Sequence, residues 1–140
     1  MRYTLTKTFR FESAHRMSKG YQGKCANIHG HSWNGHVAFS FETLDEYDMG
    51  YDFRDMGAFT RGIEEQLDHK LLLCSDDTEI IALCRKQGLA IVIFEKNPTC
   101  ETIARHFYDE IKEKLSDDPN IKIEYVQIEE TCTTSCRYSG

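Results

Sequence analysis

Hydrophobic residues near the N-terminus keep to odd-numbered positions. Tyr3, Leu5, Phe9 and Phe11 share one parity and alternate with polar residues, the period-two pattern of a strand with one buried face. The parity carries on to Ser13 and His15 unless a bulge intervenes. Gly20 and Gly23 then mark a loop. A second strand is predicted from about His29 to Phe41, with Trp33, Val37, Phe39 and Phe41 on the parity of His29 and His31. Paired antiparallel, the end of the first strand and the start of the second bring His15 to His29 and His31.

Beyond residue 50 the period lengthens. Asp52 opens a helix in which Met56, Phe59, Ile63 and Leu67 recur at helical spacing, an amphipathic stripe predicted to run to about His69. Residues 70–88 are mixed, with a short helix near Thr78–Lys86. Leu89 to Phe94 is a continuous apolar strand. Asn97-Pro98-Thr99 starts a second long helix with proline in its first turn, whose inner face is Ile103, Ala104, Phe107, Ile111 and Leu115. Asp117-Asp118-Pro119-Asn120 ends it, a last strand covers about Ile121 to Glu129, and Cys132 to Cys136 is a polar tail or turn. This order predicts one α+β domain over 1–140, with a sheet and helices on one of its faces.

Composition narrows the chemistry. A formal charge of -6 argues against a nucleic-acid partner, which needs a basic face. No apolar run reaches the length of a membrane span, and the N-terminus carries no signal-peptide stretch. The expectation is an intracellular, cytoplasmic protein. Its six cysteines are scattered without a disulfide framework and read as thiols, with Cys74, Cys84 and Cys100 as small core residues.

Three histidines and a thiol, His15, Cys25, His29 and His31, form the densest cluster of metal-ligating side chains. Three neutral imidazoles are a ligand set that catalytic zinc uses, with the fourth position open. Cys25 as a fourth ligand closes the same site into a structural one. Spacing leaves both arrangements standing. His36 has the opposite parity and faces away. Asp68-His69 is either a solvated helix end or holds the parts of a proton relay; neighbours on a helix point about 100° apart, so the pair works only if the helix ends there or if each meets a third group. Glu129-Glu130 is either a solvated acidic pair or supplies a carboxylate that accepts two parallel hydrogen bonds from a guanidine-like heterocycle.

These motifs occur together in one order: Phe11-Glu-Ser-Ala-His15-Arg, Cys25-x-x-x-His29-Gly-His31-Ser, Tyr51-Asp-Phe53, Leu67-Asp-His69-Lys, Asn97-Pro-Thr99-x-Glu101 and Glu130-Thr-Cys-Thr-x-x-Cys136. From residue 5 to 138 the chain resembles the 6-pyruvoyl-tetrahydropterin synthase superfamily. The cysteine spacing and the C-terminal motif resemble its 6-carboxy-5,6,7,8-tetrahydropterin synthase branch, which serves queuosine (7-deazaguanine) biosynthesis. The resemblance implies a tunnelling fold: a four-stranded antiparallel sheet and two long helices per subunit, assembled into a barrel as a homo-oligomer, a hexamer built as a dimer of trimers. It implies a zinc-dependent carbon-carbon lyase converting 7,8-dihydroneopterin triphosphate to 6-carboxytetrahydropterin, with release of acetaldehyde and triphosphate. Zn²⁺ falls to His15, His29 and His31, proton acceptance to Cys25, and the relay to Asp68 and His69, which would meet Cys25 across a subunit boundary. The pterin ring falls to Glu130, which also serves the relay, with Thr99 and Glu101 nearby. Cys100, Thr102 and Gly50 depart from the pattern. Arg10, Arg16, Lys19 and Lys24 are candidates for the triphosphate. The alternatives are 6-pyruvoyl-tetrahydropterin synthesis without side-chain cleavage, a non-catalytic zinc-stabilised binding module with Cys25 as fourth ligand, and a generic three-histidine zinc hydrolase.

Overall fold

The computed structural model describes residues 1–140. Strand β1 (Tyr3–His15) pairs antiparallel with β2 (His29–Phe41) in one unbroken register, from Tyr3 opposite Phe41 to His15 opposite His29. No bulge interrupts it, so the odd parity read from the sequence holds along both strands. Phe9, Phe11, Trp33, Val37, Phe39 and Phe41 enter one core cluster, and Ser13 and His15 follow them inward.

Helix α1 (Phe53–Leu67) is capped by Asp52, whose side chain accepts from Arg54 N at 2.7 Å. It buries Met56, Thr60, Ile63 and Leu67. Helix α3 (Cys100–Lys114) buries Ile103, Ala104, Phe107, Tyr108 and Ile111. Apolar residues of both helices share the cluster that holds the odd residues of β1 and β2. Burying each large aliphatic or aromatic side chain of this kind contributes about 1.5–3 kcal/mol. Between the two helices run β3 (Lys70–Cys74), α2 (Thr78–Gln87) and β4 (Ile91–Phe94). The chain closes with β5 (Lys122–Thr131) and β6 (Thr134–Tyr138).

The sheet therefore has six strands in the order β4-β3-β1-β2-β5-β6. This corrects the expected four-stranded antiparallel sheet: there are six strands, and β3 pairs parallel with both β1 and β4, while the two long helices and the short one near Thr78–Lys86 are present as expected. Leu71-Leu72-Leu73 is short and apolar throughout, the habit of a parallel strand covered on both faces, so it shows no alternation. Of the tail or turn expected at Cys132–Cys136, residues 132–133 are a turn and the rest is the first part of β6, which pairs antiparallel with β5.

Two further features bear on the site. Pro98 lies outside α3 rather than in its first turn, because Thr99 is the N-cap and its hydroxyl accepts from Thr102 N at 3.2 Å. And β5 changes parity. Ala38 pairs with Tyr125 but Phe39 with Ile123, leaving Glu124 as an extra residue in the strand, a β-bulge. Ile123 is buried before the bulge, and Val126 and Ile128 after it. Glu130 thereby joins the core face, and Glu129 turns to the other side.

Gly35 lies opposite Phe9, and a Cβ built on it would collide with the Phe9 ring. Gly35→Ala is expected to cost about 1–3 kcal/mol, read as a lower urea midpoint at unchanged m. Gly62, in mid-helix with no atom within 4 Å of an added Cβ, should respond in the opposite direction, Gly62→Ala gaining about 0.5–1 kcal/mol.

Candidate metal centre and cleft

His15 and His29 face each other across the last rung of the β1–β2 ladder, and His31 sits opposite Ser13. The three imidazole rings stand with centroids 4.6 Å (15–29), 5.2 Å (15–31) and 5.0 Å (29–31) apart. Trp33, fully buried, meets His15 and His31 edge-on at 4.9 and 5.3 Å. Its indole N–H donates to Ser13 O at 3.0 Å, which fixes the floor beneath the cluster. Ligand atoms of His15, His29, His31 and Glu130 all lie within 4.8 Å of one another. Cys25 is not in that group.

Backbone carbonyls set two of the rings. His15 Nδ1 lies 2.7 Å from Pro98 O, and His29 Nδ1 lies 2.7 Å from Asn27 O. A carbonyl only accepts, so in both rings Nδ1 carries the proton and Nε2 presents a lone pair. His15 Nε2 and His31 Nε2 are buried with no hydrogen-bond partner. Glu130 Oε1 stands 3.0 and 3.4 Å from them. A lone pair facing a carboxylate oxygen at that distance calls for a cation, so the donor set fits a metal. Burial is the main cause that lowers His15 below the ordinary imidazole value, against the Pro98 carbonyl and Glu130, which raise it. Burial likewise lowers His31. Both effects favour the neutral rings that ligate metal.

Beside the cluster opens a cleft of about 390 Å³ lined by His15, Cys25, Thr99, Glu101 and Glu130 among others. The sequence-predicted residues other than Asp68 and His69 thus gather at one place. Cys100 and Cys136 line the same cleft. Cys100, read from the sequence as a small core residue, packs against the core cluster and also borders the cleft; pairing of β6 with β5 delivers Cys136. Burial, then Glu130 and Glu101, push the Cys100 thiol up to about 12. Burial and Glu101 raise Cys136 as well. Both are protonated thiols at neutral pH. All six cysteines are free, and Cys74 and Cys84 are buried.

Asp68 and His69 form a pair of their own. Helix α1 ends at Leu67, Asp68 is extended, and His69 takes a left-handed φ of 58°. That turn removes the helical geometry that would separate the two side chains. Asp68 Oδ2 lies 2.9 Å from His69 Nδ1, while Oδ1 accepts from Glu12 N at 2.8 Å. His69 N in turn donates to Glu12 O at 2.7 Å. The Glu12 amide first, then His69, hold the Asp68 carboxyl below its usual value. His69 lines a second, shallower cleft with Glu12, His31, Ser32, Lys70 and Leu89. It does not line the Cys25 cleft.

Glu129 meets His36 at 2.9 Å, on the face away from the metal ligands. No lysine or arginine lines the Cys25 cleft. Of the four basic candidates, Arg16 pairs with Asp77 at 3.3 Å, Arg10 is on the outer face of β1, and Lys19 and Lys24 are exposed in the loop that carries Cys25. Sequence reasoning passed over the backbone carbonyls of Asn27 and Pro98, which no side-chain pattern reveals, and over Trp33, which its parity with His31 does indicate.

This is a three-imidazole cluster at a sheet end that could hold a metal ion, beside a cleft with two carboxylates and three thiols. A family model described as 6-pyruvoyl tetrahydropterin synthase matches residues 4–140, and the chain belongs to that family. It is 34% identical to the 6-carboxy-5,6,7,8-tetrahydropterin synthase of Aquifex aeolicus, covering 99% of this chain and 98% of that protein. It is 33% identical to the protein of the same name from Rickettsia felis, over 90% and 92%. The structure of Caenorhabditis elegans 6-pyruvoyl tetrahydropterin synthase matches with a TM-score of 0.74 at 22% identity, over 100% of this chain and 96% of that one, a likeness of fold. No helix is long and apolar enough to cross a membrane.

Asp68 has a depressed folded value, so its contribution to stability is complete above the ordinary carboxylate value of about 3.9 and disappears as pH falls through the folded one. Asp68→Ala is therefore expected to destabilise the protein at pH 7, and the gap from wild type in urea unfolding should narrow below about pH 4.

Proposed function

We propose that the protein is a 6-carboxy-5,6,7,8-tetrahydropterin synthase, a zinc-dependent lyase. It consumes 7,8-dihydroneopterin triphosphate and water and releases acetaldehyde and triphosphate, serving 7-deazaguanine biosynthesis. One observation carries the reading. Two buried imidazole nitrogens without partners, on His15 and His31, and a third imidazole converge beside a cleft lined by His15, Cys25, Thr99, Glu101 and Glu130. The curated relatives with that name, matched along nearly the whole chain, support the substrate.

His15, His29 and His31 would hold zinc, which would leave Cys25 free. Bound zinc supplies a Lewis acid that acidifies the substrate's side-chain hydroxyls. Cys25, outside the group of possible ligands, accepts a proton from the substrate's side chain. Glu130, its side chain 28% exposed, accepts parallel hydrogen bonds from the guanidine-like edge of the pterin and contributes to the relay. Thr99 and Glu101, at the start of α3, border the same ring. Cys25 is assigned proton acceptance for its place on the loop that borders the cleft beside His15.

Asp68 orients the His69 ring, and the pair passes the proton on. It faces a different cleft from Cys25 within one chain, so the relay closes between subunits. The sheet leaves β4 and β6 as unpaired edges, and edges of this kind are covered in closed assemblies. The triphosphate takes its cations from Lys19 and Lys24 on the Cys25 loop and from the neighbouring subunit. Retention of the side chain, giving a 6-pyruvoyl product, is the second reading, and it is the activity that the matched family model is named for.

Zinc-loaded protein given 7,8-dihydroneopterin triphosphate should yield acetaldehyde and a carboxylated pterin. Triphosphate without acetaldehyde would select the second reading. Cys25→Ala should keep full zinc occupancy and lose about 10²–10⁴ of the rate; loss of zinc would make Cys25 a ligand. Glu130→Gln separates two roles for that carboxylate. As a pterin anchor its loss raises KM and spares zinc binding, whereas as a metal ligand it lowers zinc affinity.

A further inference from the structure

Asn97 and Pro98 grip the end of β1 at two points. The Pro98 carbonyl takes His15 Nδ1, and the Asn97 Oδ1 takes Ser18 N at 2.9 Å and lies 3.0 Å from the Ser18 hydroxyl. That hydroxyl also donates to Asp76 Oδ1 at 2.7 Å. One residue earlier, Met17 N donates to Cys25 O at 2.7 Å and closes the loop that presents the thiol. His15, Met17 and Ser18 are all buried.

The Asn97 side chain has no other evident task. It does not cap α3, a role taken by Thr99. It does not line the cleft. Its Oδ1 accepts from the Ser18 amide and lies beside the Ser18 hydroxyl, so both of its polar contacts are with Ser18. Pro98 has no N–H of its own to anchor it, so its carbonyl is held in place from either side, by Asn97 bound to Ser18 and by Thr99 at the helix start.

We propose that Asn97 is a positioning residue. Its carboxamide sets the segment from His15 to Cys25 against the Pro98 carbonyl, so that one anchor fixes both the imidazole that binds metal and the loop that carries the thiol. The proposal rests on the ligand role of His15 given above, but not on the substrate. A protein that binds zinc and turns over no pterin would overturn the proposed function and leave this inference intact.

The test uses full-length wild type, Asn97→Ala and Asn97→Asp. Zinc affinity is measured by competition with a chromophoric chelator. Alkylation of Cys25 by iodoacetamide in zinc-free protein is followed by peptide mass, with exposed Cys132 as internal reference. Asn97→Ala should weaken zinc about 10- to 100-fold and speed Cys25 alkylation several-fold while Cys132 stays unchanged. Asn97→Asp keeps an acceptor for the Ser18 amide and should recover most of both. Asn97→Ser, shorter and still polar, is the second variant if alanine does not fold, with the same direction of change. A lower melting temperature with wild-type zinc affinity overturns the proposal by making the role structural alone. So does a loss of zinc affinity with unchanged Cys25 alkylation, because it removes the link between ring and loop.

Discussion

The unbroken pairing of β1 with β2 is the constraint on which the metal centre depends. Side chains alternate with a period of two, so a slip of one residue in β1 would turn His15 and its odd-numbered neighbours to the outer face. Phe9, Phe11, Trp33, Val37 and Phe39 prevent that slip, because all of them must stay under α1 and α3. The hydrophobic core thus fixes the register, and the register brings His15 opposite His29. Gly35, leaving room for the Phe9 ring, belongs to the same constraint.

A second constraint brings the carboxylate. Without the extra residue in β5, the parity that buries Ile123 would send Glu129 inward and Glu130 out. With it, Glu130 reaches the imidazole cluster and Glu129 pairs with His36 behind the sheet. A bulge at one end of a strand therefore decides which of two adjacent glutamates faces the metal ligands at the other end.

The first constraint is legible in the amino-acid sequence, since alternation is a local pattern and it names the inward face directly. Helices α1 and α3 are legible for the same reason, through the spacing of Met56, Ile63 and Leu67 and of Ile103, Phe107 and Ile111. The bulge is not, because nothing in Ile123-Glu124-Tyr125-Val126 marks which residue will be left unpaired until β2 is beside it. Strand β3 was hidden because its burial erases alternation, and β6 because a short polar edge strand resembles a tail. The Asp68–His69 contact was hidden for a third reason: it follows from the left-handed turn at His69, a conformation non-glycine residues seldom adopt. Ring orientation by Pro98 and Asn27 carbonyls belongs to the backbone, which side-chain spacing does not describe.

The central claim is that three imidazoles, and no thiol, hold the metal, which leaves Cys25 free for proton transfer. Zinc K-edge X-ray absorption of the zinc-loaded, substrate-free protein tests it most directly. The account predicts a shell of nitrogen and oxygen scatterers at about 2.0–2.2 Å, with three imidazoles and no sulfur. A sulfur scatterer at about 2.3 Å, lost in Cys25→Ala, would contradict it and make the site a closed structural one.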